Sequence, residues 1–256
     1  MKHAKKLLAL LLTLALALAL AVPAFAAGEG GFAGWVTSLW ERIKTAFHNF
    51  LVWLGLIDDC PDRPYDPDDP YYWYDAKPVI YLYPEQPTQI HVTLEPRGAH
   101  FIETIPAYGD GWHVLAQPDG TLTNLADGNE YPYLFWEAER DTPWSQPQEG
   151  FIVGRDDLAG FLGEKLRFLG LNDAEAGEFI EYWLPRLAVN EYTLIHFAGG
   201  EYQARYPLEI TPAPDSLLRV FMMARAAKAS EHIAPQTLVP FERKGFAAIE
   251  WGGTIL

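Results

Sequence analysis

Residues 76–96 read AKPVIYLYPEQPTQIHVTLEP. Lys77 and Pro78 stand in front of a run in which Val79, Tyr81 and Tyr83 alternate with Ile80 and Leu82. Neither face of that run is polar, so it is expected to be a central strand covered on both sides. Pro84-Glu85 ends it. A second strand then starts, with Ile90, Val92 and Leu94 alternating against His91, Thr93 and Glu95. Its pattern is one-sided, apolar in and polar out. The two runs are expected to form a tight pair at the start of a β-rich core.

The chain downstream carries the same signals. Asp-Gly turns at Asp110-Gly111, Asp119-Gly120 and Asp127-Gly128 separate GWHVLAQ, GTLTNLA and EYPYLFWEAE, which read as hairpin strands. A helical hairpin follows at about 156–188. Leu158, Phe161, Leu162, Leu166 and Leu169 recur at helical spacing up to Gly170. Asn172 and Glu175 then have the spacing of a capping box, and Pro185 is expected to bend or shorten the second helix. NEYTLIHFAG, EYQARYPLEIT and DSLLRVFMMARA read as strands, the last running into helix or loop after Met223. RKGFAAIEWGGTIL closes the chain as a strand broken by Gly252-Gly253. The expected fold class is α+β: a β-rich, sandwich-like main domain over 76–256 with the helical hairpin inserted, preceded by an N-terminal amphipathic helix.

The first residues carry an export signal. Lys2, Lys5 and Lys6 precede an apolar run from Leu7 to Val22, and Ala24 and Ala26 occupy small-residue positions. Residues 1–26 read as a secretory signal peptide, because the run of about 16 residues is short of the roughly 20 that span a bilayer. No spanning segment is expected after its removal, and the location is secreted or extracytoplasmic, at the cell envelope. Residues 27–57 combine a Gly-rich start with an amphipathic helix on Trp35, Leu39, Ile43, Phe47 and Leu51, expected to dock on the main domain or on a protein partner. Residues 58–75 form an Asp/Pro-rich acidic linker. A competing reading folds Asp66, Asp68 and Asp69 around Ca²⁺, a hard cation that takes oxygen ligands. No other cofactor is indicated. The full chain has 19 Lys plus Arg against 34 Asp plus Glu, a balance that argues against nucleic acid. Cys60 is the single cysteine, so no disulfide forms within the chain.

Candidate functional residues fall in two groups. Glycoside chemistry needs two carboxylates. Glu137 and Glu139 lie two apart on an expected strand, and Glu250 sits between Ile249 and Trp251, where burial would demand a partner such as Arg243 or Lys77. The second group is aromatic. Tyr81, Tyr83, Trp112, Trp136 and Trp144 stand near polar turns and strand ends, and rings beside polar groups make sugar-binding surfaces. Neither G-x-S-x-G nor H-E-x-x-H occurs.

The stretches KPVIYLYPE (77–85), GWHVLAQPDG (111–120), YLFWE (133–137), GLNDAEAGEFIEYWLP (170–185) and RKGFAAIEWGG (243–253) resemble a family of uncharacterised exported bacterial and fungal proteins. The resemblance implies one secreted domain and carries no established activity. The expected function is binding of carbohydrate or cell-wall material. The alternatives are a glycan or cell-wall hydrolase using paired glutamates and a structural or partner-docking protein. Whether the chain is an enzyme is left open.

Overall fold

A computed structural model describes residues 74–256. The signal segment, the amphipathic helix read within 27–57 and the acidic stretch up to residue 73, with Asp66, Asp68 and Asp69, lie outside the described residues.

The motif strand is β1, Tyr74–Tyr83. It begins two residues inside the stretch read as linker. It lies within an eight-stranded sheet, between β13 (Ala247–Ile255) and β7 (Leu134–Arg140), antiparallel to both. On the far side of β7 lies β3 (Ala99–Ile105). On the far side of β13 come β11 (Ser216–Ala227), β9 (Tyr192–Ala198), β8 (Glu149–Gly154) and the short β12 (Ala234–Pro235). The second run of the opening stretch, β2 (Thr88–Leu94), does not pair with β1. It belongs to a second sheet of five strands with β10 (Leu208–Thr211), β4 (Trp112–Ala116), β5 (Leu122–Asn124) and β6 (Glu130–Tyr131). The Pro84–Pro87 turn therefore carries the chain from one sheet to the other.

Three layers result, because β1 is apolar on both faces. Val79 and Tyr81 enter one core with the helices α1 (Leu158–Leu169) and α2 (Asp173–Leu187). Ile80 and Leu82 enter a second core with the five-stranded sheet. Strand β13 divides likewise, Ile249 and Trp251 to the helices and Ala248 to the small sheet. The large sheet is thus the middle layer of a β-rich domain with an inserted helical hairpin.

The hairpin's signals operate as chemistry predicts. Gly170 stops α1 with φ 109°, a conformation that costs a residue without a Cβ little. Asn172 accepts from the Glu175 N–H while the Glu175 carboxylate accepts from the Asn172 N–H, closing the capping box. Pro185 does not end α2, which runs to Leu187. It lies on the exposed face of the last turn, where the carbonyl it leaves free can reach water.

Other expectations are revised. EYQARYPLEIT is a short helix α3 (Gly200–Arg205) followed by β10, rather than one strand. β11 continues as strand to Ala227. β13 runs unbroken through Gly252-Gly253, since these glycines serve close packing rather than termination. A Cβ at Gly253 would lie 2.7 Å from the Met222 carbonyl oxygen and 2.9 Å from the Trp183 ring. Gly253→Ala is therefore expected to destabilise the domain by about 1–3 kcal/mol through overpacking. Urea unfolding measures this; an unchanged midpoint would show that β11 and α2 can both shift to make room.

Candidate functional site

The motif strand is irregular at one place, and a polar cluster is built there. Its pairing shifts register between Ala76 and Val79 against β13 and between Asp75 and Val79 against β7. Within this bulge Lys77 takes φ 55°, the one non-glycine residue at positive φ among the described residues. The left-handed conformation is costly for a lysine and persists only where its surroundings hold it. They do so here. The Lys77 N–H, turned out of the ladder, donates to Glu137 Oε1 at 3.1 Å. The Lys77 ammonium lies 5.5, 5.6 and 5.7 Å from the ring centres of Tyr133, Phe135 and Tyr182, within cation–π range. Its Nζ is 3.5 Å from the Tyr133 hydroxyl.

Glu137 is half-buried on the helix-facing side of β7. A second bulge, in β3 at Ile102, sets Glu103 directly opposite it. Side chains in such a cross-strand pair have Cβ atoms about 4.5–5.5 Å apart, and like charges there repel. Burial pushes the Glu137 carboxyl above its ordinary range, and Glu103 adds to the rise. The Lys77 N–H and the charges of Lys77 and Arg186 oppose it. The site is therefore a carboxylate pair with a raised proton affinity on one member, acted on by the charges of Lys77 and Arg186, with Tyr133 and Tyr182 around the Lys77 ammonium.

A line of tyrosine–carboxylate bonds extends this cluster along β1. Tyr81 donates to Glu178 Oε2 at 2.8 Å, and Tyr83 to Glu175 Oε1 at 2.9 Å. Arg243 forms an ion pair with Glu175 and also donates to the Gly170 carbonyl. Burial, with the neighbouring carboxylates, drives both tyrosine pKa values upward, so each hydroxyl remains a donor. Tyr81 is nearly buried and Tyr83 half-buried.

The other residues singled out from the sequence lie elsewhere. Glu139 is at the surface, 3.3 Å from His100 across the β3–β7 pair. Glu250 is wholly buried on the opposite face of the large sheet from Glu137, in an ion pair with Arg219 and 3.3 Å from Trp136 Nε1. The sheet separates these two carboxylates, so they do not converge. The partner of Glu250 is Arg219 rather than Arg243 or Lys77. Trp112, Trp136 and Trp144 are 1%, 0% and 3% exposed. All three belong to the second core, so their rings pack the interior and present no outer face. Their indole N–H groups donate to the Pro106 carbonyl, Glu250 and Asp75. His91 and His113 stack across β2–β4 with ring centres 4.0 Å apart, while His196 lies on the other sheet against the Glu149 carbonyl. Among the described residues no group of three or more His, Cys, Asp or Glu is arranged to hold a metal ion. No described helix is long and apolar enough to cross a membrane.

A buried polar network also fills the second core. Asp75 is fully buried and accepts from Trp144 Nε1 at 2.8 Å and from the Tyr206 hydroxyl. Arg140 Nε lies 3.2 Å from Asp75 Oδ1, and Arg140 reaches Thr254 Oγ1 at 3.3 Å. Arg219 donates to the Tyr206 carbonyl at 2.7 Å, which links this network to Glu250. These groups face one another rather than solvent, so their role is to fix how the two sheets meet.

Sequence reasoning missed Glu103, Arg140 and Arg219, and left Asp75 in the acidic linker rather than in β1. Glu103 had no signal, since β3 is polar on both faces. The alternation of β11 carried a signal for Arg219, the one charge between Leu218 and Val220 in an apolar run.

No family model matches the chain, and no solved structure matches it. Over 68 residues the chain is 43% identical to a protein of Butyrivibrio fibrisolvens described as an uncharacterised protein in the bglA 3′ region. The match covers 25% of this chain and 68% of that protein. The chain therefore belongs to the same uncharacterised family as that Butyrivibrio fibrisolvens protein.

Proposed function

We propose that this is an exported cell-envelope domain that binds carbohydrate or cell-wall material at the Glu137–Glu103 cluster. The observation that carries the reading is the facing carboxylate pair, with Lys77 joining Glu137 to the half-buried rings of Tyr133 and Tyr182 that lie around its ammonium. Carboxylates accept from sugar hydroxyls and amides, while tyrosine rings cover the apolar faces of a sugar at low entropic cost. The ligand-facing aromatics are thus tyrosines of the helix-side face rather than Trp112, Trp136 and Trp144. The basic, apolar and small-residue regions of the first 26 residues support export. The wider kinship with exported bacterial and fungal proteins, through the KPVIYLYPE and C-terminal motifs, belongs to the same proposal, as does docking by the amphipathic helix. The Asp/Pro stretch is assigned as a linker, with calcium at Asp66, Asp68 and Asp69 as its rival.

A hydrolytic reading is favoured by one feature. Glu137 holds its proton more tightly than an ordinary glutamate, as a general acid must. The cross-strand spacing of Glu103 suits the close carboxyl pair of a retaining glycosidase better than the Glu137/Glu139 or Glu250 combinations do.

A glycan array and a cell-wall pull-down on the secreted protein test the proposal. Wild type is expected to be retained, and Tyr182→Ala and Glu137→Gln are expected to weaken retention at least tenfold with the fold intact. No retention of any glycan or wall fraction by folded wild type would defeat it. Product release abolished by Glu137→Gln would turn the reading to catalysis.

A further inference from the structure

A different surface, at the far end of the large sheet, has the form of a strand-accepting groove. Strand β12 covers β8 only at Glu149 and Gly150, and its second residue, Pro235, has no N–H to continue the pairing. Among the described residues, β8 is paired on the β9 side alone from Phe151 to Gly154. The Arg155 N–H donates to the Glu191 carbonyl, in register with the Val153–Thr193 pair. Alternation along an antiparallel ladder then directs the backbone groups of Phe151 and Val153 toward β9 and those of Ile152 and Gly154 outward. The open edge borders a groove of about 750 Å³ whose walls are the start of α1 and the segment 231–235. Phe151 and Phe161, with ring centres 5.2 Å apart, supply an aromatic wall, with the Lys165 ammonium 5.6 and 5.7 Å from their ring centres.

The charge of the groove selects its occupant. Asp156 and Asp157 lie exposed at one end, and Glu164 and Glu231 line the walls. Glu164 has Lys165 beside it and Glu231 has Arg225, so among the described residues the charge without a paired cation is at the aspartate end. We propose that this edge accepts an extended, basic segment of another protein by strand addition. Its backbone would pair with Ile152 and Gly154, and its Lys or Arg side chains would meet the aspartates. The chain's own 58–70 stretch has the wrong charge and four prolines. A second copy would set acidic groove against acidic groove.

Fluorescence anisotropy with a capped, labelled octapeptide of alternating Lys and Val tests this on the full chain. The peptide is expected to bind saturably, and a Glu/Val octapeptide at least tenfold more weakly. A Cβ at Gly160 meets nothing within 4 Å, so Gly160→Trp can fill the groove without disturbing the core, and is expected to weaken binding at least tenfold. Replacing both Asp156 and Asp157 by Asn is expected to weaken it at least threefold and to flatten its salt dependence; this pair carries the test should Gly160→Trp not fold. The proposal is overturned by no saturable binding at millimolar Lys/Val peptide, by equal binding of the Glu/Val peptide, or by indifference to the substitutions. It is also overturned by a concentration-dependent dimer in sedimentation that Gly160→Trp abolishes, which would make a second copy the occupant.

Discussion

Glu250→Gln is expected to lower the stability of the domain by about 3–5 kcal/mol, because it leaves Arg219 charged and buried without its counter-ion. The side chains of Glu250 and Arg219 are 0% and 5% exposed. Burial works against the charge on Arg219, yet the adjacent carboxylate outweighs it and raises the guanidinium pKa. Removing that carboxylate exposes the full desolvation cost. Replacing both members, as in Arg219→Met with Glu250→Leu, is expected to recover most of the loss, since a buried pair contributes little net over apolar residues of similar size. Urea unfolding of the three variants measures this. A Glu250→Gln protein as stable as wild type would show that the charge is not structurally required, and would return Glu250 to the functional candidates.

The second large effect depends on pH. Burial pushes the Asp75 carboxyl from its ordinary 3.8 up to about 6, against the opposing pull of Arg140, Tyr206 and Trp144. The folded protein therefore holds this proton more tightly than the unfolded chain does. The stabilising contribution is full below about pH 3.8 and is lost as pH rises through about 6. Its size is about 3 kcal/mol, at 1.36 kcal/mol for each tenfold change in proton affinity. Asp75→Asn has no proton to bind there, and its amide reproduces the shape and donor of the protonated acid. The difference in unfolding free energy, wild type minus Asp75→Asn, is expected to fall by about 2.4 kcal/mol between pH 4 and pH 7. The other titrating groups are common to both proteins and drop out of that difference. Parallel profiles would show that Asp75 remains an ordinary carboxylate in the folded state.

The sequence made the layers partly legible. A strand apolar on both faces must be covered twice, and β1 is. The hairpin was legible because its helix signals are local: spaced leucines, Gly170 at the stop, Asn172 and Glu175 at the restart. The separation of β1 and β2 into different sheets was not, since a short proline turn between two strands is equally compatible with a hairpin and with a crossing. β3 escaped because it is an edge strand whose alternation is blurred by polar residues on both faces, and β8 because it is a near-edge strand of only six residues with a glycine near each end. EYQARYPLEIT misled because Tyr202 and Tyr206 both lie inward, a four-residue spacing that suits one helical turn as well as strand alternation. The functional residues were harder. Glu137 was named from the sequence, but its partner depends on a bulge in β3 that no pattern marks. Tryptophans near Asp-Gly turns suggested a surface, whereas those turns lie at strand ends and the indoles reach inward between the sheets.

The central claim, a ligand site on the helix-facing side at Glu137, is tested most directly by amide and side-chain NMR of the secreted protein titrated with a solubilised cell-wall digest. Shifts that grow saturably and cluster at Lys77, Glu103, Tyr133, Glu137 and Tyr182 are the predicted result. Shifts confined to other surfaces, or none in a folded protein at saturating digest, would contradict it.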